Sequence, residues 1–207
     1  EGDCPPAIAR LQVIHNSAED VAEMVDVYLN GDLLLDDFTF RTATPFIDAP
    51  AEVELSIAVA PGSSTSVDDA IATFPVTLAD GGTYIVVADG ITGLSMGSYD
   101  PAPAFTLAVY DMGRETASSA TNTDVLVHHG STDAPTVDVA ETGVGAGTIV
   151  DNASYLDFAG YLELATEDYE LAVQDESGTV TVATYAAPLA TLGLDGAAIT
   201  VVASGFL

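Results

Sequence analysis

Along most of the chain hydrophobic and polar residues alternate with a period of two. Val53, Leu55, Ile57 and Val59 are interleaved with Glu52, Glu54, Ser56 and Ala58, which is the pattern of a strand with one face on a core and the other in water. Tyr169, Leu171 and Val173 repeat it. The run Val25-Asp26-Val27-Tyr28-Leu29 passes through Asn30-Gly31 into Leu33, Leu34 and Leu35. Asn-Gly between apolar runs predicts a tight hairpin, because both residues accept positive φ. Tyr84-Ile85-Val86-Val87-Ala88 is apolar throughout and predicts a central strand. No segment carries a capped 3.6-residue stripe. With turn residues recurring at the spacing typical of sandwiches, the pattern predicts an all-β, immunoglobulin-like architecture.

The pattern is written twice. Leu11-Gln12-Val13-Ile14-His15-Asn16-Ser17 recurs as Asp124-Val125-Leu126-Val127-His128-His129-Gly130-Ser131. Val25-Asp26-Val27 is answered by Val137-Asp138-Val139, and Pro45-Phe46-Ile47-Asp48 by Gly160-Tyr161-Leu162-Glu163. Val53-Glu54-Leu55 is answered by Tyr169-Glu170-Leu171, and Val86-Val87-Ala88 by Val201-Val202-Ala203. The order never changes, so the sequence predicts a duplicated module rather than a short solenoid repeat. The expected organisation is a leader or clamp at 1–8, a first sandwich at 9–115, a small polar linker at 116–123 and a second sandwich at 124–207.

The two copies differ at their ends. The first continues past Val87 through residues 91–103 into Phe105-Thr106-Leu107-Ala108-Val109-Tyr110, one more strand. The second stops at the equivalent of the start of that loop, so it is expected to lack its last strand. A sandwich short of a strand exposes an unpaired edge. Three accounts follow: a chain cut short, a strand donated by a neighbouring subunit, or a module that manages without one. Head-to-tail donation would propagate into a filament. The residues expected at such a contact are Cys4, Pro5, Pro6 and Ile8 at one end, and Phe206 and Leu207 at the other.

The opening Arg10-Leu11-Gln12-Val13-Ile14-His15-Asn16-Ser17, with Val25-Asp26-Val27-Tyr28-Leu29-Asn30-Gly31 after it, resembles the start of the DUF4397 family. Val127-His128-His129-Gly130-Ser131-Thr132-Asp133-Ala134-Pro135 with Val137-Asp138-Val139 resembles it again, as a second tandem copy. The resemblance implies an exported surface protein with immunoglobulin-like folds and implies no chemistry. The second copy departs after Val139, where Ala140-Glu141-Thr142-Gly143 replaces the Tyr-Leu-Asn-Gly hairpin.

Charge narrows the partners. The chain has 207 residues, 32 of them acidic and 3 basic, for a net charge of −29, yet 48% are hydrophobic. That hydrophobic content predicts a real core with the carboxylates outside it. The surface disfavours nucleic acid and anionic lipid and attracts cations. Self-repulsion at this level predicts a fold helped by salt. No run of about 18 apolar residues occurs, so no membrane insertion is expected. Glu1-Gly2-Asp3-Cys4 resembles a processed N terminus, and a secreted or cell-surface location is expected. Cys4, the sole cysteine, is open to three readings: free thiol, inter-subunit disulfide or lipid attachment.

Catalytic signatures are sparse. His15, Ser17 and Asp26, and again His129, Ser131 and Asp138, contain the letters of a triad, but no Gly-x-Ser-x-Gly elbow accompanies them. The expected role of these groups is to bond backbone where the strand enters an acidic turn. His128-His129 would face opposite sides of a strand, which is poor chelation. Asp36-Asp37, Asp68-Asp69 and Glu19-Asp20 are dense in acid without the spacing of an EF-hand, so no cofactor is expected beyond calcium as an option. Tyr99, Tyr155 and Tyr185 are expected to be half-buried sandwich residues rather than a sugar platform. Asn152-Ala153-Ser154 fits an N-glycosylation sequence. The sequence therefore points to a non-enzymatic structural or adhesive protein of the cell exterior that self-associates, with a glycan- or calcium-binding module as the alternative.

Overall fold

A computed structural model describes residues 5–93 and 104–206. Cys4, Tyr99, Leu207 and most of the 91–103 loop therefore lie outside the described residues. The chain divides into two compact units, one ending at Gly113 and the other beginning at Arg114.

The first unit contains β1 (Ile8–His15), β2 (Met24–Leu29), β3 (Asp32–Thr39), β4 (Ile47–Pro50), β5 (Glu54–Pro61), β6 (Ala72–Thr77), β7 (Thr83–Asp89) and β8 (Thr106–Tyr110). They form two four-stranded sheets, ordered β4-β1-β7-β8 and β3-β2-β5-β6. Every pairing is antiparallel except β1 with β7. Leu11 and Val86 from one sheet share a core cluster with Leu55 from the other, which makes the unit a sandwich. The Asn30-Gly31 hairpin forms as expected, with φ of 53° and 92°.

The second unit contains β9 (Asn122–Ser131), β10 (Val137–Glu141), β11 (Gly147–Ala153), β12 (Phe158–Ala165), β13 (Asp168–Asp175), β14 (Thr181–Pro188) and β15 (Ala198–Gly205). Its sheets are ordered β11-β10-β13-β14 and β12-β9-β15. The first repeats β3-β2-β5-β6 strand for strand, and the second repeats β4-β1-β7; among the described residues no strand stands where β8 does. The all-β fold expected from periodicity is thus the fold observed. Among the described residues, no helix is long and apolar enough to cross a membrane.

Three local expectations change. Residues 116–123 do not hang between the units: Ala117 N donates to Gly196 O, Ser118 N donates to Asp124 Oδ2, and β9 has begun by Asn122. The match of Leu55 to Leu171 slips by two residues. Val27 pairs with Val59, and Val139 with Val173, so Leu171 is the structural equivalent of Ile57. A two-residue shift keeps every side chain on its face, so alternation alone cannot select the register. The hairpin missing after Val139 is replaced by a turn built around the buried Glu141. Its carboxylate accepts from the backbone N–H groups of Gly143, Val144 and Ala146. Burial pushes the Glu141 carboxyl up, but these bonds outweigh it and hold the group below its ordinary value.

Candidate functional site

The clearest difference between the units is the outer edge of the β1/β7 sheet. In the first unit β8 lies along β7, with Val109 opposite Val86 and Leu107 opposite Ala88. Phe105 and Leu107 pack into the core between the sheets. In the second unit β15 pairs with β9 in the same parallel register, Val201 opposite Val127 as Val86 is opposite Val13. No described strand lies on its other side. Val86 is 1% exposed and its equivalent Val201 is 42% exposed. Ile57 and Val59 are buried, whereas their equivalents Leu171 and Val173 are only half-buried. β-strand addition takes place along a strand edge that carries apolar side chains.

The residues expected at this contact fare unequally. Phe206 is exposed just past β15. Pro5 and Pro6 are exposed, and proline lacks the N–H that a donated strand uses. Ile8 already pairs with Pro50 in its own unit, and its N–H donates to Asp80 Oδ1 at 3.0 Å. Ile8 is thus already paired within its own unit, and Pro5 and Pro6 have no backbone N–H to donate.

The triad letters are engaged elsewhere. His15 Nε2 donates to Ala22 O at 2.7 Å, and its ring sits against Phe38 and Phe40. Ser17 Oγ donates to Gly90 O at 2.8 Å. The second unit repeats the plan, with His129 Nε2 on Pro135 O at 3.1 Å and Ser131 Oγ on Gly205 O at 3.1 Å. His128 is buried, stacked on Phe158 and bonded to Asp157 O. These groups tie strand ends to the loops beside them, as the sequence implied. Burial lowers the His15 pKa from its ordinary value. Its Nδ1 accepts from Ser17 N, which also requires the neutral ring. Stability from this group is therefore present above pH ~6.5 and lost as pH falls through the lower folded value. The stability difference between the wild type and His15→Asn is expected to shrink between pH 7 and pH 5, as read by urea melts.

The acidic spots also have local causes. Asp36 and Asp37 stand against the single residue Asp26, because β3 bulges there. Asp37 takes φ of 52°, and its N–H donates to Asp26 Oδ1 at 3.0 Å, while Ser64 Oγ donates to Asp26 Oδ2. Asp151 and Asn152 form the same bulge opposite Asp138, with Asn152 at φ 53° and its N–H on Asp138 Oδ1 at 2.7 Å. In the first unit the bulge gathers three carboxylates within 4.8 Å, close enough for one cation. Asp69 bonds the Thr65 backbone N–H and hydroxyl, and the first of these holds its carboxyl low. Glu19 takes both the N–H and hydroxyl of Thr92. Tyr155 is half-buried against His129, as expected. Tyr185, expected to be half-buried, is 60% exposed because β14 is an outer strand.

Sequence reasoning missed Arg114. Asp124 and Glu163 face each other across β9 and β12, where the first unit has the complementary pair Arg10 and Asp48. Arg114 Nη1 lies 2.5 Å from Asp124 and 2.7 Å from Glu163, and its guanidinium sits over the Tyr161 ring. The signal was the change of Arg10 to Asp124 at matched positions.

Comparison with known proteins adds a family and little else. The profile described as "Domain of unknown function (DUF4397)" matches residues 9–140, one continuous match that reaches from the first unit into β10. No curated protein matches the chain. A solved structure described as "Alpha-glucan binding by a streptococcal virulence factor" is 8% identical and covers 94% of this chain and 93% of its own, with a TM-score of 0.29. A likeness that slight carries no argument about ligand.

Proposed function

The chain belongs to the DUF4397 family, and from that premise we propose that it is a non-enzymatic structural or adhesive protein of the cell exterior, assembled by strand complementation along β15. The supporting observation is Val201. Its equivalent Val86 is buried beside β8, whereas no described strand lies beside Val201, at the matching register of the corresponding sheet. The occupant fits as an antiparallel strand from a neighbouring copy with apolar residues where Phe105 and Leu107 stand in the first unit. The repeated strand order supports reading the second unit as a further copy of the family fold. Self-association of a chain carrying −29 needs screening, so assembly belongs to high salt.

The test is negative-stain microscopy and sedimentation of the whole chain in high salt. Fibres or head-to-tail oligomers are expected from the wild type, and monomers from Val201→Asp, which places a charge on the open edge. Monomeric wild-type protein at micromolar concentration in high salt would sink the reading.

A second reading, a cation-binding module, is supported by Asp26, Asp36 and Asp37. Calcium that raises the melting temperature of the wild type and leaves Asp36→Asn/Asp37→Asn unmoved would favour it over assembly.

A further inference from the structure

We infer that Asn152 is an N-glycosylation site and that its glycan shields the outer edge of β11. The inference rests on the proposed location outside the cell. Asn152, Ala153 and Ser154 make an Asn-x-Ser sequence, and both Asn152 and Ser154 are exposed. The fold uses the backbone of Asn152, not its side chain: the N–H is held by Asp138, while the side-chain Nδ2 donates to the exposed Asp151 Oδ1 at 3.0 Å. The first unit makes the same bulge with Asp37 at nearly the same φ. The site thus tolerates different side chains so long as the left-handed backbone is kept. A sugar on Nδ2 costs the fold only that surface bond.

The position matters because β11, like β3, is the outermost strand of its sheet. Exposed edges invite pairing unless charge or bulk blocks them. Edge strand β3 carries Asp32, Asp36 and Asp37, all exposed, whereas β11 carries Asp151 alone. A glycan on the β11 bulge supplies the missing protection.

The chemistry is transfer of an oligosaccharide from an isoprenyl diphosphate carrier. The bond from Asn152 Nδ2 to sugar C1 forms, the bond from C1 to the diphosphate oxygen breaks, and the proton lost from the amide leaves with the diphosphate. No oxidation or reduction is involved.

The test is intact mass and peptide mapping of the chain recovered from its native cells, with peptide N-glycosidase treatment in ¹⁸O water. Glycan on the Asn152 peptide, converted to ¹⁸O-labelled Asp, is expected, and Asn152→Gln and Ser154→Ala chains should each lose the added mass. An unmodified Asn152 peptide from chain found outside the cell overturns the site and leaves the exported location standing. Unmodified chain confined to the cytoplasm overturns both.

Discussion

Val86→Asp is expected to unfold the first unit, while the same substitution at the matched position of the second, Val201→Asp, is expected to be nearly silent in the monomer. Val86 sits in the core cluster with Leu11 and Leu55, and β8 closes the sheet beside it. A carboxylate there loses its water without gaining a partner, and the valine packing is lost with it. The sum is about 4 kcal/mol, at the upper end for single substitutions. Val201 is 42% exposed, so an aspartate keeps its hydration and costs within about 1 kcal/mol. Hydrogen exchange read by mass spectrometry reports each unit separately. Loss of protection across β1, β5 and β7 in Val86→Asp, with β9 and β15 unchanged in Val201→Asp, is the expected outcome. Equal damage at both positions would mean that the second unit closes its edge in the monomer, and strand acceptance would fail with it.

Arg114→Met is expected to cost the second unit about 2–3 kcal/mol. Asp124 is fully enclosed, and it faces Glu163 across the strand pair. One guanidinium bridges both and offsets one of the two charges. Removing one member of an enclosed pair leaves an uncompensated charge, worth about 3–5 kcal/mol when all partners are buried. Arg114 is 36% exposed and Glu163 48%, so solvent screening reduces that figure. Burial pushes the Asp124 carboxyl up, but hydrogen bonds from Arg114 and Ser118 outweigh it and hold the group below its ordinary value. Its contribution is therefore present above pH ~3.9 and is lost as pH falls through the lower folded value. The gap between wild type and Arg114→Met should narrow as the solution is acidified below pH ~4. Asp124→Asn in the Arg114→Met background should recover most of the loss at pH 7, because it removes the stranded charge and keeps an acceptor for Ser118. No recovery would mean that Arg114 acts through its packing on Tyr161 instead.

Alternation by two, written across Val53 to Val59 and again across Tyr169 to Val173, was enough to predict strands, and Asn30-Gly31 was enough to predict their first hairpin. The repeat of His15 and Ser17 as His129 and Ser131 implied groups that bond backbone at strand ends, and each of the four bonds a backbone carbonyl.

Other features depend on contacts between distant segments and could not be read along the chain. Glu141 at the head of a turn, the bulge that gathers Asp26 with Asp36 and Asp37, and the single arginine between two facing acids each need the strand register to be known. Periodicity with period two determines which face a residue takes. It is blind to shifts of two residues, and Leu171 moved by that amount. The sequence by itself therefore determined the all-β class and the face that each residue of a strand takes. Only the tertiary structure decided which carboxylates meet, which are neutralised, and that Val201 is exposed where Val86 is buried. Burial and pairing depend on what lies alongside a strand, and its own residues do not encode its neighbour.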